Sequence, residues 1–394
     1  MVDNDYIKIM SHLDGLRPCA LLTTGRTGSD FIQSLMDSHT EILTFNGIFF
    51  FHDFWSDSKC NKKKSIDIFD ILNEFIGIHI EKFKSKYDHI EQKDRLGEDG
   101  TQSINIDLDL FKKTVNGLLT NKEVTSRNFM LAIYGAYAIC LGQNIKSKSI
   151  IVHHIHQVHR LPEYLLDFPN SKIISMTRDP RANFVSGILH HRKYNIETDN
   201  AAHLYFYINR IIVDSYSVSH LDNKSITIRI EDLGEKCILE SLCKWLDIEY
   251  ENTMQYSTWA GMKWRGDRLS EKSNKTAGFS EKMLENSWET ELSFFDLYLF
   301  NFLLNDRLKH YGYKYKKVYF YDYFIVFFVI LIPLKFEMRF FSYQYLIDTI
   351  KKNDYKVLIL NFIHYQLRVV YFYRVMFNKI IGFKFNREYI SCNK

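Results

Sequence analysis

Apolar runs of strand length alternate along the chain with polar turns and with stretches whose apolar residues recur at helical spacing. Ala20 to Leu22 give a short strand signal, and after the next turn Phe31, Ile32, Leu35 and Met36 keep the i, i+3, i+4 spacing of a helix. The order repeats at Lys172 to Ser186, an apolar strand that ends in a polar turn and leads into a helix. Ile150 to Val152 predict another buried strand. Ser225 to Ile230 predict one more, after which Glu231-Asp232-Leu233 opens a helix that reaches Trp245. Between the two repeated units, Phe49 to Lys148 form a long insertion with helical patterns such as Ile68, Ile71, Leu72 and Phe75, read as a mostly helical layer.

The first turn carries the chemistry. Gly25 and Gly28 let the backbone bend closely around a ligand, and Thr24 through Ser29 aim N–H groups, hydroxyls and a guanidinium at a helix start, where negative charge is favoured. Only Arg26 and Thr27 separate the glycines and no lysine follows, so the turn is not a Walker A loop and an ordinary NTPase is disfavoured. In the second unit Asp179 is placed to cap a helix and Pro180 suits its first turn. Arg178 ends the strand and Ser186 lies two turns into the helix, so both reach one anion. Two such corners suit a ligand with two separated anionic groups.

With these residues the chain resembles the sulfotransferase superfamily, which uses 3′-phosphoadenosine 5′-phosphosulfate (PAPS). Thr24-Gly25-Arg26-Thr27-Gly28-Ser29 is similar to the family's 5′-phosphosulfate loop, and Arg178 with Ser186 to its 3′-phosphate motif. Thr227 to Leu233 and Leu242 to Leu246 continue the likeness, which ends near Tyr313. Arg26 stands where cytosolic members carry lysine, as in many carbohydrate-sulfating relatives. Asp30 puts a negative charge where the family usually has Thr or Ser. The resemblance implies an α/β, three-layer P-loop-like fold with a central parallel sheet and PAPS as co-substrate. In it Arg26, Thr24, Gly25, Thr27, Gly28 and Ser29 hold the 5′-phosphosulfate, and Arg178 and Ser186 hold the 3′-phosphate. Trp259 to Asp267 resembles a shortened C-terminal lid, with Arg265 and Lys263 supplying charge, Trp264 a stacking face and Gly266 close backbone approach.

The strand at Ile150 runs into His153-His154-Ile155-His156, and alternation puts His154 and His156 on one side with His153 on the other. In relatives a strand followed by Leu-Pro, here Leu161-Pro162, delivers the catalytic histidine. The resemblance therefore assigns His154 as the base, with His156 and Glu41 as alternatives. Asn46 stands where relatives often have a carboxylate. For Arg229 and Glu231 a structural ion pair is expected. The clustered histidines lack a matching Cys/Asp/Glu set, so no metal site is expected.

Composition narrows the class. A formal charge of +4 over 394 residues, with no basic-aromatic repeat, argues against a nucleic-acid partner. Six cysteines without framework spacing suit a reducing compartment. The amino terminus has no apolar run long enough for a signal peptide or anchor, so a cytoplasmic catalytic region is expected. Past Tyr313 the composition turns aromatic and basic. Val318 to Leu334 is at the short edge of a spanning helix, so interfacial contact or packing on the catalytic domain is expected instead. The resulting division is a catalytic domain over 15–315, containing the insertion at 49–148, and a helical C-terminal appendage over 316–394. The expected activity is sulfuryl transfer from PAPS to a hydroxyl of a glycan or lipid-linked saccharide, with peripheral contact at an inner membrane. The rivals are a nucleotide kinase and a noncatalytic nucleotide-binding, membrane-associated protein.

Overall fold

The computed structural model describes residues 3–45, 47, 50–58, 66–85, 96–156, 158–193, 208, 224–265, 278–280, 288–382, 385 and 387–392. Five strands, β1 (Arg17–Leu22), β2 (Ile42–Thr44), β3 (Ile150–Ile155), β4 (Lys172–Thr177) and β5 (Ser225–Arg229), form one sheet in the order β2-β3-β1-β4-β5. Every neighbouring pair is parallel. Parallel strands covered on both faces need near-continuous apolar runs, which Cys19–Leu22 and Ile150–Val152 supply. The fold is the α/β, P-loop-like architecture with a central parallel sheet, flanked by helices that include Ser29–Met36, Pro180–Lys193 and Lys236–Leu246.

In this order β1 connects outward on one side, to β2, and β4 on the other, to β5. The crevice outside the carboxyl ends of two such adjacent strands is where α/β sheets bind ligands. Both anion corners emerge there.

The insertion is helical as expected, and its helices Leu108–Leu119 and Ser126–Cys140 pack against the amino-terminal helix Asp3–Asp14. That packing is tight: a Cβ on Gly117 would lie 2.5 Å from the Tyr6 ring, and one on Gly135 2.4 Å from Leu13. The helix after β5 starts later than its sequence suggests. A single 3-10 turn, Ile230–Asp232, precedes a helix that begins at Lys236. Glu231 and Asp232 do not cap that helix, because both carboxylates are bound to other parts of the chain.

A second apolar cluster joins the helix Pro180–Lys193, through Phe184, Val185 and Ile188, to the helices Phe294–Leu303, Phe320–Val329 and Tyr355–Ile380. Within it Arg368 and Glu337 form a buried ion pair, with Nη2 to Oε2 at 2.9 Å and Nε to Oε1 at 3.2 Å. Arg368 also donates to the carbonyls of Ile330 and Ile332, and Glu337 accepts from the Leu334 N–H. This pair fixes the bend between two C-terminal helices.

The chain then returns to the sheet. Thr227 of β5 donates to the Glu388 carbonyl at 2.9 Å and accepts from the Ile390 N–H at 3.0 Å, so the terminal segment covers the open edge of β5. Beside it Cys237 and Cys392 form a disulfide, their Cα atoms 5.7 Å apart. The cysteine spacing gave no reason to expect a disulfide, because the partners stand 155 residues apart and meet only through the fold.

Removing one member of a buried ion pair leaves the other charge uncompensated. Arg368→Leu should therefore cost about 3–5 kcal/mol in urea denaturation, and adding Glu337→Leu should recover most of that loss.

Candidate active site

Three adjacent strands end at the site. β1 lies between β3 and β4, with Leu21 beside His154 and Leu22 beside Ser175. Parallel neighbours run about 4.8 Å apart, so the residues after Leu22, Ile155 and Thr177 share one edge.

The turn after β1 takes left-handed backbone at three residues, Gly25 (φ 83°), Arg26 (φ 56°) and Gly28 (φ 84°). For glycine this is free; for arginine it is uncommon and costs on the order of 1 kcal/mol. At Gly28 a side chain is excluded twice over, since a Cβ would also sit 2.5 Å from Ile230 Cδ1. Thr23 braces the turn, its hydroxyl 2.7 Å from that of Thr27 and accepting from the Gly25 N–H at 3.0 Å. The Thr24 hydroxyl is buried and has no hydrogen-bond partner among the described residues. No side chain caps the helix Ser29–Met36 at Gly28, so its start remains open to an anion.

The second corner meets the first. Arg26 Nε reaches Ser186 Oγ at 3.5 Å, and the Arg26 guanidinium lies within electrostatic reach of Arg178. Burial lowers the Arg178 pKa; the Glu231 carboxylate opposes that shift and Arg26 adds to it. Glu231 is held in turn, accepting from the Asp179 N–H at 3.1 Å and from the Tyr313 hydroxyl at 3.0 Å, and burial raises its own pKa. Asp179 caps the following helix by accepting from the Arg181 N–H at 2.9 Å, and it pairs with the buried Arg181 guanidinium at 2.6 Å. A bisphosphate bound here would thus meet two guanidiniums on braced supports.

His154 sits fully inside the edge. Its Nδ1 is 3.0 Å from Gln33 Oε1 and 3.6 Å from Asp30 Oδ1. Gln33 cannot be turned over, because its Nε2 donates to the Phe45 carbonyl at 2.6 Å and to Thr44 Oγ1 at 3.0 Å. A carbonyl only accepts, so Gln33 Oε1 must face His154 and Nδ1 must carry the proton. Nε2 then holds the lone pair, and it is buried with no partner among the described residues. Burial, with His156 and His153 adding, holds the His154 pKa well below the usual range, so the ring is a neutral acceptor near pH 7. His153 faces the other way, hydrogen-bonded to the Tyr134 hydroxyl at 2.8 Å and stacked on Tyr164. His156 lies past the strand end, its ring 5.8 Å from that of His154.

Several expectations need correction. Glu41 lies at the amino end of β3, where its carbonyl accepts from Ser149 and Ile150 and its carboxylate from the Ser149 hydroxyl. It is therefore at the opposite edge from the site. Arg229 pairs with Asp232 at 2.6 Å rather than with Glu231, leaving Glu231 to serve Arg178. The Trp259 to Arg265 segment packs against the far end of the helix Ser29–Met36, with Gly261 N–H donating to Asp37 and Thr258 meeting Ser38. Trp264 is buried edge-on against Trp259, so it offers no stacking face there. Lys263 binds Glu98, and Arg265 donates to the Gly97 and Glu98 carbonyls. Gly266 and Asn46 lie outside the described residues. Among the described residues no group of three or more His, Cys, Asp or Glu is arranged to hold a metal ion.

Gln33 is the residue that the motifs did not single out, and Asp30 entered only as a departure from the loop motif. The available signal was a long polar side chain, Gln33, among the buried positions Phe31 to Met36.

Two outcomes follow for the histidines. In ¹⁵N-histidine spectra His154 should remain the neutral Nδ1–H tautomer at pH ~7, and Gln33→Glu, which sets a carboxylate against Nδ1, should raise its pKa. His153, His154 and His79 are all buried with lowered pKa values, His79 down to about 4. At these three histidines the unfolded chain therefore binds more protons than the native one below pH ~6.5, and the stability each contributes should fall by up to ~1.4 kcal/mol for each pH unit lost until its native pKa is reached. Urea midpoints taken at neutral and acid pH measure this.

Comparison with known proteins agrees with the geometry. The sulfotransferase domain family matches residues 17–294. No curated protein matches the sequence. Solved structures that resemble it include the sulfotransferase domain from the Synechococcus PCC 7002 olefin synthase, with 12% identity over 70% of this chain and 88% of that one and a TM-score of 0.38. The sulfotransferase domain from the curacin biosynthetic pathway shows 13% identity over 69% and 83%, with a TM-score of 0.33. Sulfotransferase STF9 from Mycobacterium avium shows 14% over 64% and 70%, also with a TM-score of 0.33. A family match across most of the chain, on a central parallel sheet, makes this protein a member of the sulfotransferase family.

Proposed function

We propose that the protein transfers the sulfuryl group of PAPS to a hydroxyl of a glycan or lipid-linked saccharide, and that Arg26 and Arg178 bind the two ends of one nucleotide. The observation that carries this reading is the meeting of the two corners: Arg26 reaches Ser186, two turns into the helix that starts beside Arg178. The residues suit such a donor. A buried, unpartnered Thr24 hydroxyl, an uncapped helix start and a Gly28 that admits no side chain form a cradle for a 5′-phosphosulfate. Arg178 and Ser186 stand where a 3′-phosphate would be gripped, which separates PAPS from ATP.

PAPS supplies a sulfuryl group on a phosphate leaving group, so the protein has little covalent chemistry to perform. Its work is positioning and charge compensation. His154 accepts the proton of the acceptor hydroxyl at Nε2, and the proton then rests on a ring whose Nδ1 donates to Gln33 and lies near Asp30. Arg26 compensates charge on the departing phosphate. Thr27 and Ser29, at the start of the same helix, add donors on that side. The described insertion helices would form the acceptor layer. A cytoplasmic setting beside an inner membrane suits a lipid-linked acceptor.

Thermal stabilisation by 3′,5′-bisphosphoadenosine should exceed that by AMP or ATP. Arg178→Ala should erase that preference, lowering affinity for the bisphosphate on the order of 10- to 100-fold as a charge-assisted contact is lost. His154→Ala should keep the stabilisation yet slow transfer of labelled sulfate from PAPS to saccharide acceptors by about 10²–10⁴-fold. An unchanged ligand ranking in Arg178→Ala would remove the 3′-phosphate assignment; normal turnover in His154→Ala would remove the base.

A further inference from the structure

We propose that the C-terminal helices form a flat docking face for an anionic lipid bilayer, lying in the plane of the headgroups. The argument begins with which side of each helix faces in. In the helix Phe320–Val329 the buried positions are Asp322, Val326 and Val329, and the outward side is apolar throughout. Phe320 is 94% exposed and Phe324 71%, with Phe327 and Phe328 beside them and Leu331 just beyond. In the helix Tyr355–Ile380 the stripe Ile359, Phe362, Val370 and Phe377 is exposed at spacings of three, seven and eight, one face of a helix about 38 Å long. Single exposed apolar residues are ordinary; a continuous set is not.

The two stripes are continuous. Phe324 contacts Phe328 at 5.2 Å and Phe328 contacts Phe327 at 5.4 Å. Phe327 meets Tyr373 of the long helix at 5.3 Å, and Tyr373 stacks on Phe377 at 6.3 Å. At the other end Tyr365 bridges the helices, its hydroxyl donating to the Leu331 carbonyl at 2.5 Å and its ring meeting Phe341 at 5.3 Å. The outward sides of both helices therefore belong to one surface.

Charge selects the occupant. Acids in this region are withdrawn or engaged: Asp322 is buried against the Tyr298 hydroxyl and the Tyr319 N–H, and Glu337 is buried with Arg368. Asp354 caps the long helix and Asp348 holds Gln344. Lys316 and Lys317 just before the first of these helices, Lys351 and Lys352 just before the second, and Lys356 and Arg374 on it are exposed. A second copy docked on this face would set those cations against their own equivalents, whereas anionic headgroups complement them. Phenylalanine and tyrosine with a lysine rim are the residues of an interfacial helix. Among the described residues no helix is long and apolar enough to cross a membrane, so the face rests on the bilayer and does not span it. This inference is independent of the nucleotide and of the base.

The test is flotation of the full-length protein with vesicles of phosphatidylcholine alone or with equimolar phosphatidylserine. At low salt the anionic vesicles should carry at least about tenfold more protein, with release at high salt. The triple variant Phe324→Ser/Phe328→Ser/Val370→Ser, altered only at exposed positions, should keep its melting temperature and lose flotation. Lys316→Glu/Lys317→Glu/Lys352→Glu/Lys356→Glu should lose the preference for anionic vesicles. Absence of flotation with either vesicle would overturn the proposal, as would undiminished flotation of the triple variant. A concentration-dependent dimer that the same serine substitutions dissolve, without vesicle binding, would assign the face to a second copy.

Discussion

The parallel pairing of β3, β1 and β4 is the constraint on which the rest depends. Because the three strands run in one direction side by side, a histidine and an arginine arrive at one edge with a glycine turn more than a hundred residues before either. Antiparallel pairing anywhere among them would send one of these groups to the opposite end of the sheet. Glu41 shows the effect, since at the amino end of β3 it lies a whole strand length, roughly 15–20 Å, from the edge that carries His154.

At that edge, like charges are gathered on purpose and supported from behind. Arg26 and Arg178 repel one another, and partial burial costs Arg178 further; Glu231, fixed by the Asp179 N–H and the Tyr313 hydroxyl, offsets part of this. An incoming dianion would relieve what remains. The candidate base is arranged by the opposite means. His154 is kept neutral by burial, and its tautomer is set by a glutamine whose own orientation is locked by a backbone carbonyl. Electrostatics thus sorts the site into a region that wants negative charge and a ring ready to receive a proton.

Much of this was readable in the sequence where it depends on local rules. The glycine spacing at 25 and 28, the Asp179-Pro180 helix start and the opposite facing of His153 and His154 all follow from backbone geometry within a few residues. What was not readable depends on partners distant in sequence. Gln33 acts on His154 only because β2 returns Phe45 to its other end, and Glu231 serves Arg178 because Arg229 finds Asp232 three residues away. The Trp259 to Arg265 segment carried the right residue types for a lid, yet both tryptophans are buried and the segment is tied to the far end of the helix Ser29–Met36. Left-handed backbone at Arg26 and the Cys237–Cys392 link have no local signature at all.

The C-terminal helices share one apolar cluster with the helix that begins beside Arg178, so the region past Tyr313 is structurally joined to the Arg178 side of the sheet. The account stands or falls on whether one ligand is held at both ends by Arg26 and Arg178. Calorimetric titration of adenosine 3′-monophosphate and adenosine 5′-monophosphate, separately, into Arg26→Ala and Arg178→Ala measures this directly. The account predicts that Arg26→Ala weakens only the 5′-phosphate and Arg178→Ala only the 3′-phosphate; both variants weakening the same fragment, or neither weakening any, would contradict it.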